Sequence, residues 1–157
     1  YACGDCIESM DLLTGQPAMS MLWPDAKRQG EIAALNCLGK QVAYEGAVNL
    51  VVEDILGVPV VSMGWTSQSI QSPDLEIIEG KNYGQYWRVL VLNDVIMGMQ
   101  AIGVTTGLGA IMSIMKSRIT LSEYYHIMAD SNLMRKAAWF LPARQFLDDY
   151  SNYRQGE

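Results

Sequence analysis

Near its start the chain reads Tyr1-Ala2-Cys3-Gly4-Asp5-Cys6-Ile7-Glu8, and the C-x-x-C spacing admits three readings. A redox dithiol needs one thiol of lowered pKa, which C-x-x-C achieves when it opens a helix beside a strand. Asp5 between the two sulfurs opposes thiolate formation, and no helical pattern begins at Cys6. A structural zinc site needs about four ligands. The chain offers Cys3, Cys6, Cys37 and a single histidine, His126, with no second C-x-x-C and no H-x-x-x-H, so no metal site is expected. In the third reading the working letters are Gly4 and Asp5, and the cysteines are small side chains packed around a turn. His126, in Tyr124-Tyr125-His126, falls on an expected helix as a packed or surface residue, with proton transfer as the alternative. No catalytic residue is assigned.

Several elements must position these residues. In 20–39, SMLWPDAKRQGEIAALNCLG, the residues Leu22, Ala26, Gln29, Ala33 and Cys37 recur at helical spacing. Pro24 suits a first turn and Gly39 a C-terminal stop, so a helix is expected over 23–38. From Val48 to Trp65 the chain is rich in Val and Ile with Gly57 and Pro59 inside, which predicts two short strands and a turn. Asp74–Glu79 predicts another strand, and Gly80–Gly84 a connection. Tyr86–Leu92 and Val95–Val104 flank Asn93-Asp94 and predict a hairpin. Its strands are apolar on nearly both faces, which places them mid-sheet under a helix.

After the hairpin the period changes. Ile111, Ile114, Met115 and Arg118 are spaced for a helix over 109–118, and Thr120-Leu121-Ser122-Glu123 is a capping-box pattern. The chain is helix-prone again from Asn132 to Tyr153, with Pro142 as an interruption or a new start. The uncharged run from Val95 to Met115 imitates a membrane span in length. Its Gln100, its hydroxyl residues and the break at Thr105-Thr106-Gly107-Leu108-Gly109 favour a buried strand followed by a buried helix.

The chain has 157 residues, 50% of them hydrophobic and 18% charged, which suits a compact fold and excludes a disordered one. The net charge is −6 and the eleven Lys and Arg residues are scattered, which argues against nucleic acid as a partner. Three cysteines make no disulfide framework, so a reducing, cytoplasmic setting is expected. No signal-peptide pattern stands at the N-terminus, and Tyr1 reads as a cut point.

In a wider window, Ala2-Cys3-Gly4-Asp5 followed by Ala26-Lys27-Arg28-Gln29-Gly30-Glu31-Ile32-Ala33-Ala34-Leu35-Asn36 and Gly39 resembles the second FAD motif of the pyridine nucleotide-disulfide oxidoreductase superfamily. That motif is a short strand ending in Gly-Asp and then a helix carrying a pattern like A-x-x-Q-G-x-x-A-x-x-N. The resemblance implies that Gly4 lets the backbone approach the cofactor and that the Asp5 carboxylate accepts from a ribityl hydroxyl of FAD. It also places Leu22, Trp23 and Pro24 at the helix start under the isoalloxazine, where amides and the positive dipole end face the pyrimidine carbonyl. Further on, Tyr44-Glu45-Gly46, Ser62-Met63-Gly64, Tyr86–Leu92, Asp94 and Met97-Gly98-Met99-Gln100-Ala101-Ile102-Gly103 are similar to the C-terminal interface domain of the NADH oxidase, rubredoxin reductase and nitrite reductase flavoprotein group. Gly107-Leu108 and Ile119–Glu123 continue that likeness, which covers about residues 1–125.

The superfamily's first FAD fingerprint, G-x-G-x-x-G, is absent, because Gly107-Leu108-Gly109 continues to Met112. No NAD-binding unit is present, and His126 does not match the His-Pro type motif of glutathione reductase relatives. The expected fold is α+β: an antiparallel sheet of about four or five strands with helices packed on it. Before it stand the last strand and helix of an FAD-binding domain. The expected divisions are 1–40, the end of the FAD domain; 44–121, an interface (dimerisation) domain; and 122–157, a helical extension. The expected role is the C-terminal part of an NAD(P)H-dependent FAD oxidoreductase, inactive alone and without its FAD. As partners, a second copy of the chain and a small-molecule or small-protein redox acceptor are implied, with neither nucleic acid nor membrane. The alternative is a noncatalytic oligomerisation or binding module in which Met97, Met99, Met112 and Met115 line a docking groove.

Overall fold

The computed structural model describes residues 1–130, 132–133 and 142–148. Of the helix-prone stretch expected over 132–153, with Pro142 as an interruption or a new start, residues 132–133 and 142–148 are described and are helical, a 3-10 turn at Pro142-Ala143 leading into a helix over 144–148. Its other residues lie outside the described ones. The chain forms two compact units, Tyr1–Leu50 and Val51–Glu157.

In the first unit, α1 spans Trp23–Cys37, close to the span expected from its apolar spacing. Pro24 occupies its first turn, where the absent N–H is no loss. The C-terminus closes as a Schellman motif: Gly39, at φ +80°, donates to the Asn36 carbonyl at 3.0 Å and Lys40 to the Leu35 carbonyl at 3.1 Å. Two short strands, β1 (Ser9–Met10) and β2 (Pro17–Ala18), pair antiparallel. The Asp11 carboxylate makes the turn between them, accepting from the Leu13 and Thr14 amides at 3.0 and 2.8 Å. Residues 1–3, the strand expected before Gly-Asp, are in no ladder among the described residues. Residues 46–48 run parallel beside 10–12, with Ala47 donating to the Met10 carbonyl at 2.8 Å.

The second unit holds a five-stranded antiparallel sheet in the order β3-β4-β7-β6-β5, with β3 Leu50–Ile55, β4 Val58–Gly64, β5 Leu75–Asn82, β6 Gln85–Leu92 and β7 Val95–Ile102. The expected hairpin is β6–β7, turned by Asn93 and Asp94 at φ +51° and +66°, the left-handed pair that a two-residue hairpin loop demands. Both strands lie in the sheet interior as their doubly apolar pattern requires. Val89, Leu90, Val91, Ile96 and Met99 are fully buried. A bulge between Leu90 and Val91 leaves Met97 unpaired on the β6 side. On the β4 side its carbonyl accepts from the Trp65 amide at 2.8 Å, one step beyond the Gly64–Gly98 pair.

One boundary departs from expectation. Instead of stopping before Gly80, β5 runs through it to Asn82, and the connection shrinks to residues 83–84. Gly80 faces Trp87 in the ladder, and the indole lies across the glycine where a Cβ would overlap it. The aromatic ring thus supplies the cover that a glycine in a strand lacks. Trp87 in turn meets Phe146 edge-on, centroids 5.2 Å apart.

Helix α2 (Leu108–Ser117) packs on β7, burying Ile111, Ile114 and Met115. The membrane-like run Val95–Met115 is thus β7 followed by α2, and no helix among the described residues is long and apolar enough to cross a membrane. Helix α3 (Leu121–Ala129) begins with the expected capping box: the Glu123 amide donates to Thr120 Oγ1 at 3.1 Å, and the Thr120 amide donates to Glu123 Oε2 at 2.9 Å. Its start is also tied to the hairpin turn, with the Leu121 amide donating to the Asp94 carbonyl and the Ser122 amide to Asp94 Oδ2. Thr120→Ala is expected to lower the stability of this unit by about 1 kcal/mol, read as a shift of the urea midpoint at constant slope. The Thr120 amide and hydroxyl hold the Glu123 carboxyl below its ordinary range. A lowered carboxyl contributes stability above its unfolded pKa and loses it as pH falls through the folded value, so the deficit of Thr120→Ala shrinks under acid.

Candidate functional site

Gly4 sits at φ +82°, a left-handed conformation glycine adopts without strain. Its carbonyl accepts from the Ile7 amide at 3.2 Å, closing a turn over 4–7. On the other side of that turn the Gly4 N–H donates to Gln29 Oε1 at 2.7 Å. A Cβ on Gly4 would lie 3.8 Å from that of Ala26, and the Cys3 sulfur lies 4.0 Å from where Gly30 would carry one. Ala26, Gln29 and Gly30 thus form one face of α1, at i, i+3 and i+4, against the Cys3-Gly4 segment. Two turns further, Asn36 grips the extended chain twice: its Nδ2 donates to the Val42 carbonyl at 2.9 Å and its Oδ1 accepts from the Val42 amide at 2.8 Å.

This explains the pattern A-x-x-Q-G-x-x-A-x-x-N in physical terms. Small residues allow the turn to approach the helix, and the two amides satisfy backbone groups on either side of it. Gln29 is only 4% exposed. Beside it the Tyr44 hydroxyl is buried without a hydrogen bond of good geometry. Burial pushes the Tyr44 phenol up, and the Gln29 amide offsets part of that rise. Gln29 was legible in the motif, whereas its hold on Gly4 joins positions 25 residues apart and carries no local signal.

Asp5 is exposed and makes no hydrogen bond or ion pair among the described residues. Cys3 and Cys6 are free thiols at the surface, with the Cys6 sulfur donating to the Cys3 carbonyl at 3.4 Å. Ala26 closes the first turn of α1, its amide donating to the Leu22 carbonyl at 3.0 Å. Leu22 is its half-buried N-cap, in extended conformation, and no side chain caps the helix there. Ser20 Oγ is instead hydrogen-bonded to Asp25 Oδ2 at 2.5 Å. Trp23 is 74% exposed, with the Lys27 ammonium 5.5 Å from its ring centroid, and Pro24 is exposed. The structure therefore brings Gly4 to the helix whose start carries Leu22, Trp23 and Pro24. It leaves Asp5 exposed and the start of α1 without a side-chain cap.

That donor set fits a flavin edge. Uncapped amides at a positive helix end suit a carbonyl oxygen, an unengaged carboxylate suits hydroxyls, and a flat exposed indole suits an aromatic ring. Among the described residues no group of three or more His, Cys, Asp or Glu side chains could hold a metal ion. His126 is exposed on α3.

No family model matches the chain. An NADH oxidase of Methanocaldococcus jannaschii is 31% identical over 81 residues, 52% of this chain and 18% of that protein. A FAD-dependent pyridine nucleotide-disulphide oxidoreductase from Desulfovibrio vulgaris superposes with a TM-score of 0.72 at 18% identity, over 94% of this chain and 38% of its own. Its fold is that of the C-terminal part of the pyridine nucleotide-disulfide oxidoreductases. An NAD-dependent persulfide reductase from A. fulgidus shares this oxidoreductase fold, with a TM-score of 0.66 at 20% identity over 78% of this chain and 26% of its own. The chain thus spans about a fifth of its curated relative and a quarter to two-fifths of these structures.

Proposed function

We propose that the chain is the C-terminal part of an NAD(P)H-dependent FAD oxidoreductase, in which it holds one edge of the flavin and joins two subunits. The observation that carries this reading is the placement of Gly4, at φ +82°, against the first turns of a helix with no side-chain cap. The likeness in sequence to an NADH oxidase points the same way. FAD, when bound, supplies the hydride-accepting chemistry.

The chain's own residues bind and orient. Asp5 accepts from a ribityl hydroxyl, and Gly4 keeps the backbone clear for its approach. Leu22, Trp23 and Pro24 present the start of α1 to the isoalloxazine, excluding water from one side. No residue of this chain takes the hydride. NAD(P)H and the dinucleotide half of FAD are held by parts of the enzyme outside it, since the chain carries no G-x-G-x-x-G. Residues 1–40 complete the FAD domain, and 44–121 form the dimerisation domain.

On this reading the isolated chain is a dimer that does not retain FAD. Sedimentation velocity of the purified chain with added FAD reads both halves. A dimer with free flavin is expected. A monomer overturns the subunit-joining role, and flavin moving with the protein overturns the need for the missing fingerprint.

A further inference from the structure

We infer that Gln29 is the positioning residue of the flavin site, setting the Gly4–Asp5 turn on α1 so that Asp5 meets the ligand. The inference rests on the flavin-edge reading and extends it to a residue that touches no part of the ligand. Its basis is a buried side chain with one specific task. Gln29 is 4% exposed, in the middle of a helix whose other buried residue is Ile32, and a buried amide is costly unless paired.

Its Oε1 accepts from Gly4 at 2.7 Å, across 25 positions of sequence. The turn's other contacts with α1 are apolar: Gly4 against Ala26, Cys3 against Gly30, and Ile7 lining a cleft with Ile32 and Ala33. None of them fixes the direction of a backbone group as the hydrogen bond does. Its backbone closure is the single Ile7-to-Gly4 bond at 3.2 Å, the Cys3 and Cys6 side chains are exposed, and Asp5 is exposed next to the bonded amide. A left-handed glycine with its N–H released regains wide conformational freedom, and Asp5, one peptide away, moves with it. A shorter amide at this position would not reach, and an apolar side chain of equal length would fill the space without holding the turn.

A double-mutant cycle on FAD affinity in the native flavoprotein tests this, because a residue that acts through Asp5 must couple to it. Gln29→Met keeps volume and helix propensity but removes the acceptor, and about five- to tenfold weaker FAD binding is expected. In an Asp5→Ala background the same change should have an effect of less than about twofold. Asn36→Met, which breaks the neighbouring grip on Val42 from the same helix, serves as the structural control, with FAD affinity expected to stay near wild type.

Equal losses from Gln29→Met in both backgrounds, or a loss from Asn36→Met matching that from Gln29→Met, overturn the positioning role and leave the flavin edge standing. So does wild-type affinity in Gln29→Met when Asp5→Ala is impaired. Wild-type affinity in Asp5→Ala overturns the flavin-edge reading itself.

Discussion

Gly98→Ala destabilises the five-stranded unit by about 3 kcal/mol, seen as a lower urea midpoint. Gly98 lies inside β7, paired with Leu90 on one side and Gly64 on the other. A Cβ there would overlap the Trp65 carbonyl oxygen and stand 2.9 Å from its carbon and 3.0 Å from its nitrogen. These are backbone atoms in a strand-edge contact, so no rotamer change relieves them. The Trp65 amide is also the donor to the Met97 carbonyl at the bulge, and pushing Trp65 away breaks that bond. Gly109→Ala is the internal comparison. Its Cβ meets nothing within 4 Å, and in α2 it should be neutral or stabilising by up to about 1 kcal/mol. Equal midpoints for the two variants would show that the β7 contact is not as close as described.

If the proposed function holds, Asp5→Ala is expected to weaken FAD binding by about 1.5–3 kcal/mol, roughly ten- to a hundredfold, the loss of a hydrogen bond to a charged acceptor. Asp5 is exposed and without a partner among the described residues, so its removal leaves the turn and α1 folded and the loss falls on the ligand. The dissociation constant of FAD from the native protein, measured by reconstituting the apoprotein, is the readout. Undiminished affinity would remove the carboxylate from the site.

Much of the second unit was legible because its signals are local. The hairpin turn is announced by Asn93-Asp94 between apolar runs, and α3 by Thr120 and Glu123 three residues apart. The elements that escaped depend on partners far along the chain or on too few residues to show a period. β1 and β2 have two residues each and exist because the Asp11 carboxylate turns the chain between them. β5 continues through Gly80 because Trp87 covers it from the next strand, which no pattern within 74–84 reveals.

The site divides in the same way. The helix itself could be read from its Pro24 and its apolar spacing, whereas Gly4, Asp5 and the start of α1 were picked out as a site only through the resemblance of Cys3-Gly4-Asp5 and the following helix to an FAD motif. The exposure of Trp23, the uncapped first turn of α1 and the bond from Gly4 to Gln29 are properties of packing. They became visible only when the turn and the helix were seen together.

The central claim, that this chain completes a flavin site, is tested most directly by the visible absorption spectrum of the native protein that contains this sequence, recorded before and after NADH or NADPH is added without oxygen. The account predicts the two bands of oxidised flavin at one flavin per chain, bleached on addition of the nicotinamide. A colourless, folded protein that stays colourless when reconstituted with FAD would contradict it.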